Sequence, residues 1–172
     1  MKKQKHRIPW IIATWFGVGF LPTAPGTWGS LAAIPCAYLI SVYTCPYFLL
    51  FGIVALFFIG IWASDKIEES VEIKDPRFIV IDEVVGQWIA LLPLPFLYSF
   101  LDPVVFYNFS APIAVVAFLA FRIFDICKPW PVEFADKNIP GGYGIMFDDV
   151  IAGMYALIVT SAVTAVMVIP FL

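Results

Sequence analysis

Charged residues are scarce in this sequence, and histidine is almost absent. Of 172 residues, 13% are charged, 62% are hydrophobic, and His6 is the only histidine. An ordinary soluble domain has about 25% charged residues, and a chain this short leaves much of its surface exposed. Lipid hydrocarbon must therefore cover part of the protein. The length favours a single domain over residues 1–172.

Reactive cysteine chemistry is also missing. Cys36, Cys45 and Cys127 form no CxxC pair and no spacing typical of metal ligands. None of them is followed by five residues and an arginine, so the loop of the cysteine-dependent phosphatases is absent. Because His6 lies in the basic N-terminal tail, a histidine nucleophile is excluded as well.

The ten basic residues fall in three clusters, at residues 2–7, 66–77 and 122–137. Acidic residues share the last two clusters, whereas a nucleic-acid surface carries lysines and arginines without matching carboxylates. We therefore expect no nucleic-acid partner.

Apolar runs close to the roughly 20 residues that cross a bilayer predict an all-α, polytopic helical membrane bundle. The five predicted spans cover residues 28–43, 47–64, 78–101, 104–127 and 150–172. The shorter run at 8–21 is expected to lie in the interface or to re-enter the membrane. This arrangement places every basic residue on one side, which the positive-inside rule makes cytoplasmic. A charged loop at 65–77 and a glycine-rich loop ending at 147 are predicted on that side.

Carboxylates inside apolar sequence are the main anomaly. The five are Asp82, Glu83, Asp125, Asp148 and Asp149, and an embedded charge is costly unless it is paired or bound to metal. Helix capping explains Asp82 and Asp148 alone, but not the doubled acids or Asp125 near a helix C-terminus. The predicted topology gathers all five at the cytoplasmic end. Oxygen ligands suit Mg²⁺ or Ca²⁺ rather than zinc, so the acids predict a site for one or two such ions.

Two of these acids precede a glycine by four residues. Asp82 is followed by Gly86, and Asp149 by Gly153. Residues i and i+4 share a helix face, and a bare glycine backbone lets helices approach closely. The pattern predicts that both acids point into the bundle.

Arg122, Asp125 and Lys128 follow one another at intervals of three residues. One interpretation is an internal ion pair plus a lysine that obeys the positive-inside rule. The other is a cationic clamp on a phosphoryl group, with arginine as a fork and lysine as a point charge.

Two loops are suited to anions. Residues 25–30 precede a helix, so that backbone N–H groups and the hydroxyls of Thr27 and Ser30 are expected to bind phosphate. Residues 139–144 lead to Asp148 and Asp149. Glycine-rich segments of this kind are often merely turns. With the acids and cations they favour phosphoryl chemistry at a membrane surface; an ion-coupled transporter that uses the clustered acids is the alternative.

Four segments together resemble the signatures of the phosphatidylglycerophosphatase A family: PGTWGS at 25–30, DEVVG at 82–86, RIFDICKPWP at 122–131 and GGYGIMFDDVIAG at 141–153. They occur in the family's order and spacing over nearly the whole chain. The resemblance implies hydrolysis of phosphatidylglycerophosphate to phosphatidylglycerol and inorganic phosphate, with Mg²⁺ as cofactor. It also implies an all-helical enzyme of the bacterial inner membrane, with its site facing the cytoplasm and a phospholipid as its partner.

Roles within such a site are assigned as follows. Metal ligands are expected to be Asp82, Glu83, Asp148 and Asp149. Asp125 is expected to be a base, a nucleophile or a further ligand, with water or an aspartate as the attacking group. Phosphate is expected to bind Thr27, Ser30, Arg122 and Lys128. The residues expected to take part in catalysis are Asp82, Glu83, Asp125, Lys128 and Asp149.

Overall fold

The computed structural model of the chain describes residues 7–171, and the regular elements in that range are helices. In chain order they are α1 (Arg7–Ala13), α2 (Pro25–Tyr43), α3 (Tyr47–Val71), α4 (Ile81–Ala90), α5 (Pro93–Phe100), α6 (Pro103–Cys127), α7 (Val132–Asn138) and α8 (Gly141–Val168). Short 3₁₀ helices cover Val18–Phe20 and Ile169–Phe171. The predicted all-α fold is confirmed. Of the basic cluster at 2–7, residues 2–6 lie outside the described range.

Four helical segments in the described range are long and apolar enough to cross a membrane, close to the predicted five. They are Tyr47–Val71, Ile81–Phe100, Pro103–Cys127 and Gly141–Val168, the second being α4 and α5 in succession. The predicted first span corresponds to α2, which has 19 residues and is not among the four. Helix α1 has seven residues, about 10 Å at 1.5 Å per residue. It is too short to cross a hydrocarbon core of about 30 Å, as expected for residues 8–21.

Two predicted boundaries are wrong. Helix α3 continues to Val71, so half of the predicted charged loop is helical, because lysine and glutamate are good helix formers. Helix α8 begins at Gly141, so that the last seven residues of the predicted glycine-rich loop form its first two turns, and α7 covers seven more. A Cβ atom at Gly142 would collide with the carbonyl oxygen of Ile61. Gly142 is therefore needed for close packing against α3, and Gly144 for close packing against Ile139.

Helix α4 lies at the centre of the bundle. Its residues are all buried except Glu83, which is partly buried. It packs against α2, α3, α6 and α8, and the indole N–H of Trp88 donates a hydrogen bond to the carbonyl of Ala33 in α2 over 3.0 Å. The first turn of α4 is thereby held in a fixed place at one end of the bundle.

Helices α4 and α8 cross at the two glycines identified in the sequence. A Cβ atom at Gly153 would lie 2.6 Å from the carbonyl oxygen of Gly86, and one at Gly86 would lie 2.7 Å from the carbonyl oxygen of Asp149. The predicted close approach is confirmed. Because each glycine lies about one turn from its acid, the crossing brings Asp82 and Asp149 face to face.

Gly153→Ala is expected to lower the free energy of unfolding by about 1–3 kcal/mol, the usual cost of overpacking, and to lower activity by separating α4 from α8. Thermal unfolding in detergent and phosphate release measure the two effects. Ala162→Val, at an exposed position on the same helix, serves as the control. A Gly153→Ala protein as stable and as active as the parent would show that the crossing does not require glycine.

Candidate active site

A polar cavity of about 720 Å³ opens at one end of the bundle. Its walls come from the start of α2, the first turn of α4, the end of α6, the first turns of α8, α7 and the loop before α4. All seven charged residues singled out in the sequence line it: Asp82, Glu83, Arg122, Asp125, Lys128, Asp148 and Asp149. The prediction that these acids and cations gather at one end is therefore confirmed.

Three carboxylates form the acidic centre of this cavity. Asp82, Glu83 and Asp149 each offer an oxygen, and these oxygens all lie within 4.8 Å of one another. Asp82 and Glu83 occupy the first turn of α4, where the positive end of the helix dipole favours acids. Asp149 faces them from α8 and is 3% exposed.

The same carboxylates have oxygens that the protein does not satisfy. Oδ1 of Asp82 and Oε2 of Glu83 are buried and have no hydrogen-bond partner. Leaving a buried charged acceptor unpaired is costly. A divalent cation removes that cost, and oxygen-only ligands are those that Mg²⁺ prefers. The carboxylate trio, Asp82, Glu83 and Asp149, thus fits the predicted metal.

Asp148 is held by a different partner. Lys128 Nζ lies 2.8 Å from Asp148 Oδ2 and 2.9 Å from Asp136 Oδ1. Lys128 ends α6 in a left-handed conformation, with a φ of 44°, which turns the chain toward α7. The metal-binding role predicted for Asp148 remains a prediction, and its observed role is an ion pair.

The pKa of Lys128 reflects its two carboxylate neighbours. Burial alone lowers the pKa, but hydrogen bonds and charge attraction from Asp148 and Asp136 outweigh burial and raise it above the ordinary value. Lys128 is therefore positively charged at neutral pH. Its ion pairs contribute stability that is present below the ordinary lysine pKa of 10.5 and is lost only as the pH rises through the higher folded value.

Arg122 and Asp125 form another ion pair in the cavity wall. Arg122 Nη1 lies 2.5 Å from Asp125 Oδ2, and both side chains are 15% exposed. Arg122 Nη1 also donates to Ser30 Oγ over 3.4 Å, while its buried Nε–H has no partner. The internal ion pair considered from the sequence is present. The ion pair leaves the Nε–H group of Arg122 without a partner. Because Arg122 lines the cavity, its side chain can still donate hydrogen bonds to a ligand there.

The two predicted hydroxyl ligands lie elsewhere. Ser30 is buried and its hydroxyl donates to the carbonyl of Gly26 over 2.9 Å. Among the described residues, the cavity wall includes Ala24, Pro25 and Gly26 but neither Thr27 nor Ser30. Gly26 packs against the Glu83 carboxylate, where a Cβ atom would collide with Oε1. Phosphate binding by Thr27 and Ser30 stays a prediction, and the glycine-rich segment 139–144 reaches the wall through Ile139, Gly141 and Gly144.

Six charged residues of the wall were not assigned to the site from the sequence. Glu68 comes from the end of α3, Lys74, Asp75 and Arg77 from the loop before α4, and Asp136 and Lys137 from α7. In the sequence, the basic residues among them predicted only which side of the membrane faces the cytoplasm. Lys74 and Arg77 shortly precede Asp82 in the chain, and this proximity is the signal that would have identified them.

Fold and site together define an integral membrane protein with a carboxylate-lined, cation-flanked cavity at one end of a helical bundle. The sequence model of the family described as Phosphatidylglycerophosphatase A matches residues 11–164. The chain belongs to the phosphatidylglycerophosphatase A family.

Three curated proteins are similar over most of their length. A Bacteroides thetaiotaomicron protein, provisionally named a phosphatidylinositol-3-phosphatase, is 41% identical over 160 residues, which cover 91% of this chain and 93% of that protein. Phosphatidylglycerophosphatase A of Escherichia coli is 36% identical over 153 residues, 88% of this chain and 81% of that one. The Haemophilus influenzae protein of the same name is 38% identical over 154 residues, 89% and 86% of the two chains. No solved structure matches the chain significantly.

Proposed function

We propose that this protein removes the terminal phosphate from phosphatidylglycerophosphate, leaving phosphatidylglycerol and inorganic phosphate. Its family and the names of the E. coli and H. influenzae relatives support this reaction. The observation that carries the proposal is the carboxylate trio facing Arg122 and Lys128 across one cavity. Phosphoryl transfer requires carboxylates that bind a metal cation and positively charged side chains that bind the phosphate.

Mg²⁺ is the proposed cofactor, held by Asp82, Glu83 and Asp149. When bound, the ion supplies charge neutralisation and polarisation of the phosphoryl group. Asp148 remains a candidate ligand, because it adjoins Asp149 in the cavity wall, and substrate binding to Lys128 would release it.

The protein's own side chains hold and orient the phosphate in this proposal. Arg122 donates through its planar fork to phosphate oxygens, and its ion pair with Asp125 fixes the orientation of the guanidinium. Lys128, which keeps its proton, adds a point charge. Asp125 lines the same cavity and accepts a proton from the attacking water as the water oxygen bonds to phosphorus. The bond between phosphorus and the glycerol oxygen breaks, and that oxygen takes up a proton from solvent water.

The position of the cavity suits a lipid substrate. The acyl chains remain in the membrane while the head group enters the polar end of the bundle, and the phosphate product leaves into water. The described basic residues cluster around this end of the chain's fold, so by the positive-inside rule it faces the cytoplasm. We propose the bacterial inner membrane as its location, since the candidate spans are helices and the E. coli and H. influenzae relatives are bacterial proteins.

A comparison of substrates tests the proposal. Purified protein in detergent micelles with Mg²⁺ is expected to release phosphate from phosphatidylglycerophosphate at least about tenfold faster than from phosphatidylinositol 3-phosphate, a difference of about 1.4 kcal/mol. Faster release from the inositol lipid would instead support the activity in the name of the Bacteroides relative. Release from neither lipid would overturn the proposal. The transport alternative has no support from the family or from the relatives.

A further inference from the structure

An apolar groove lies between α2 and α6, directly below the active-site cavity. The two helices touch above it, where Arg122 contacts Ser30 over 3.4 Å, and at its far end, where the Tyr38 and Phe106 rings are 6.0 Å apart. Between these contacts is a space of about 470 Å³. Side chains that line it include Leu31, Ile34 and Tyr38 of α2 and Ala111, Ala114 and Phe118 of α6.

The groove follows one face of each helix up to the site. The lining residues recur at intervals of three and four, the spacing of a single helical face. On α6 the next position along this face after Phe118 is Arg122, which lines the active-site cavity. On α2 the next position before Leu31 is Thr27. The apolar walls therefore lead directly to Arg122, the side chain proposed to bind phosphate.

The depth of the groove matches one leaflet of a bilayer. From Arg122 to Ala111 the helix rises about 16 Å at 1.5 Å per residue. Half of a hydrocarbon core of about 30 Å is about 15 Å. The small side chains of Ala111 and Ala114 leave the space between the helices that larger residues would fill.

We infer that this groove binds one acyl chain of the phospholipid substrate, an inference that rests on the proposed function. A phosphate held at Arg122 places the glycerol backbone at the upper end of the groove, so that an acyl chain descends along its apolar walls. Lipid that merely solvates the protein needs no groove aligned with the catalytic residues. The groove would make the enzyme selective for substrates with long chains.

Tryptophan substitutions that fill the groove separate this role from a structural one. Ala111→Trp and Ala114→Trp are expected to raise KM for dioleoyl phosphatidylglycerophosphate in mixed micelles by about tenfold or more, the loss from a few displaced methylene groups. The dihexanoyl substrate, whose chains are too short to fill the groove, should be hydrolysed with an unchanged KM. Ala162→Trp, at an exposed position of similar depth on α8, should change neither value.

A labelling experiment gives a readout that needs no hydrolysis. Phosphatidylglycerol with a photoreactive diazirine halfway along one acyl chain is expected to label residues 31–38 and 107–118 of the parent protein, and Ala111→Trp should suppress that labelling. Equal KM changes for long and short substrates would overturn the inference, as would unchanged KM values or labelling spread evenly over all helices. A parent protein that releases no phosphate from either substrate would refute the proposed function, while the labelling would still test the groove.

Discussion

Asp149→Asn is expected to lower phosphate release about a thousandfold, or about 4 kcal/mol of transition-state stabilisation, and Asp82→Asn to do the same. Each replacement keeps the shape of the side chain but removes one negative ligand from the carboxylate trio. With two acids left, the site holds a divalent cation less tightly. Without the cation, nothing in the carboxylate trio neutralises the negative charge of the phosphate. Binding of Mn²⁺, measured by electron paramagnetic resonance, should weaken in parallel.

The fold of these variants is expected to survive. Within the trio, neutralising one buried carboxylate removes charge repulsion, so thermal unfolding in the presence of EDTA should occur at the same or a higher temperature than in the parent. Asp102→Asn is the matched control. Asp102 caps α6 at the other end of that helix, accepting a hydrogen bond from the Val104 N–H over 2.8 Å, and asparagine caps equally well. Normal turnover in Asp82→Asn or Asp149→Asn would remove that residue from the site.

Arg122→Met is expected to lower kcat/KM about a hundredfold or more, since it removes a charged, bidentate donor to the phosphate. Arg122→Lys should recover only part of the loss, because an ammonium group lacks the planar fork. The steady-state rates of the three proteins on phosphatidylglycerophosphate measure this difference. Lys66→Met is the control, since Lys66 forms an exposed ion pair with Glu69 and such pairs contribute about 1 kcal/mol or less.

A structural explanation of the Arg122 effect is tested separately. Removing Arg122 alone leaves Asp125 without its partner, and breaking a buried pair costs about 3–5 kcal/mol. The double variant Arg122→Met with Asp125→Asn removes both charges and should unfold at a higher temperature than Arg122→Met, but it lacks the proposed base and should be inactive in any case. If Arg122→Met kept the activity of the parent at temperatures where it remains folded, Arg122 would be a residue of the fold and not of the site.

The sequence predicted those features whose physical cause is local. In a bilayer core without water, a backbone must form its own hydrogen bonds, so an apolar run of spanning length predicts a helix. Such runs predicted both ends of α6 and the start of α3 to within one residue. The glycines at 86 and 153 predicted the helix crossing, because one turn of helix fixes an acid and a glycine on the same face. The trio of Asp82, Glu83 and Asp149 follows from that crossing.

Tertiary contacts determined what the sequence could not predict. Asp148 and Asp149 differ by about 100° around a helix of 3.6 residues per turn, so the two acids face different neighbours. Asp148 meets Lys128 because the chain turns sharply at the end of α6 and α7 brings Asp136 to the same lysine. Ser30 accepts a hydrogen bond from Arg122 because α2 and α6 meet there. None of these contacts between different elements has a signature in sequence spacing.

Phosphate release from phosphatidylglycerophosphate by the purified protein, before and after EDTA treatment, tests most directly whether the carboxylates of α4 and α8 form a metal-dependent phosphatase site. Activity is expected to fall at least about a hundredfold in EDTA and to return when Mg²⁺ is supplied in excess. Full activity in EDTA, with the protein shown to be free of divalent metal, would contradict the account.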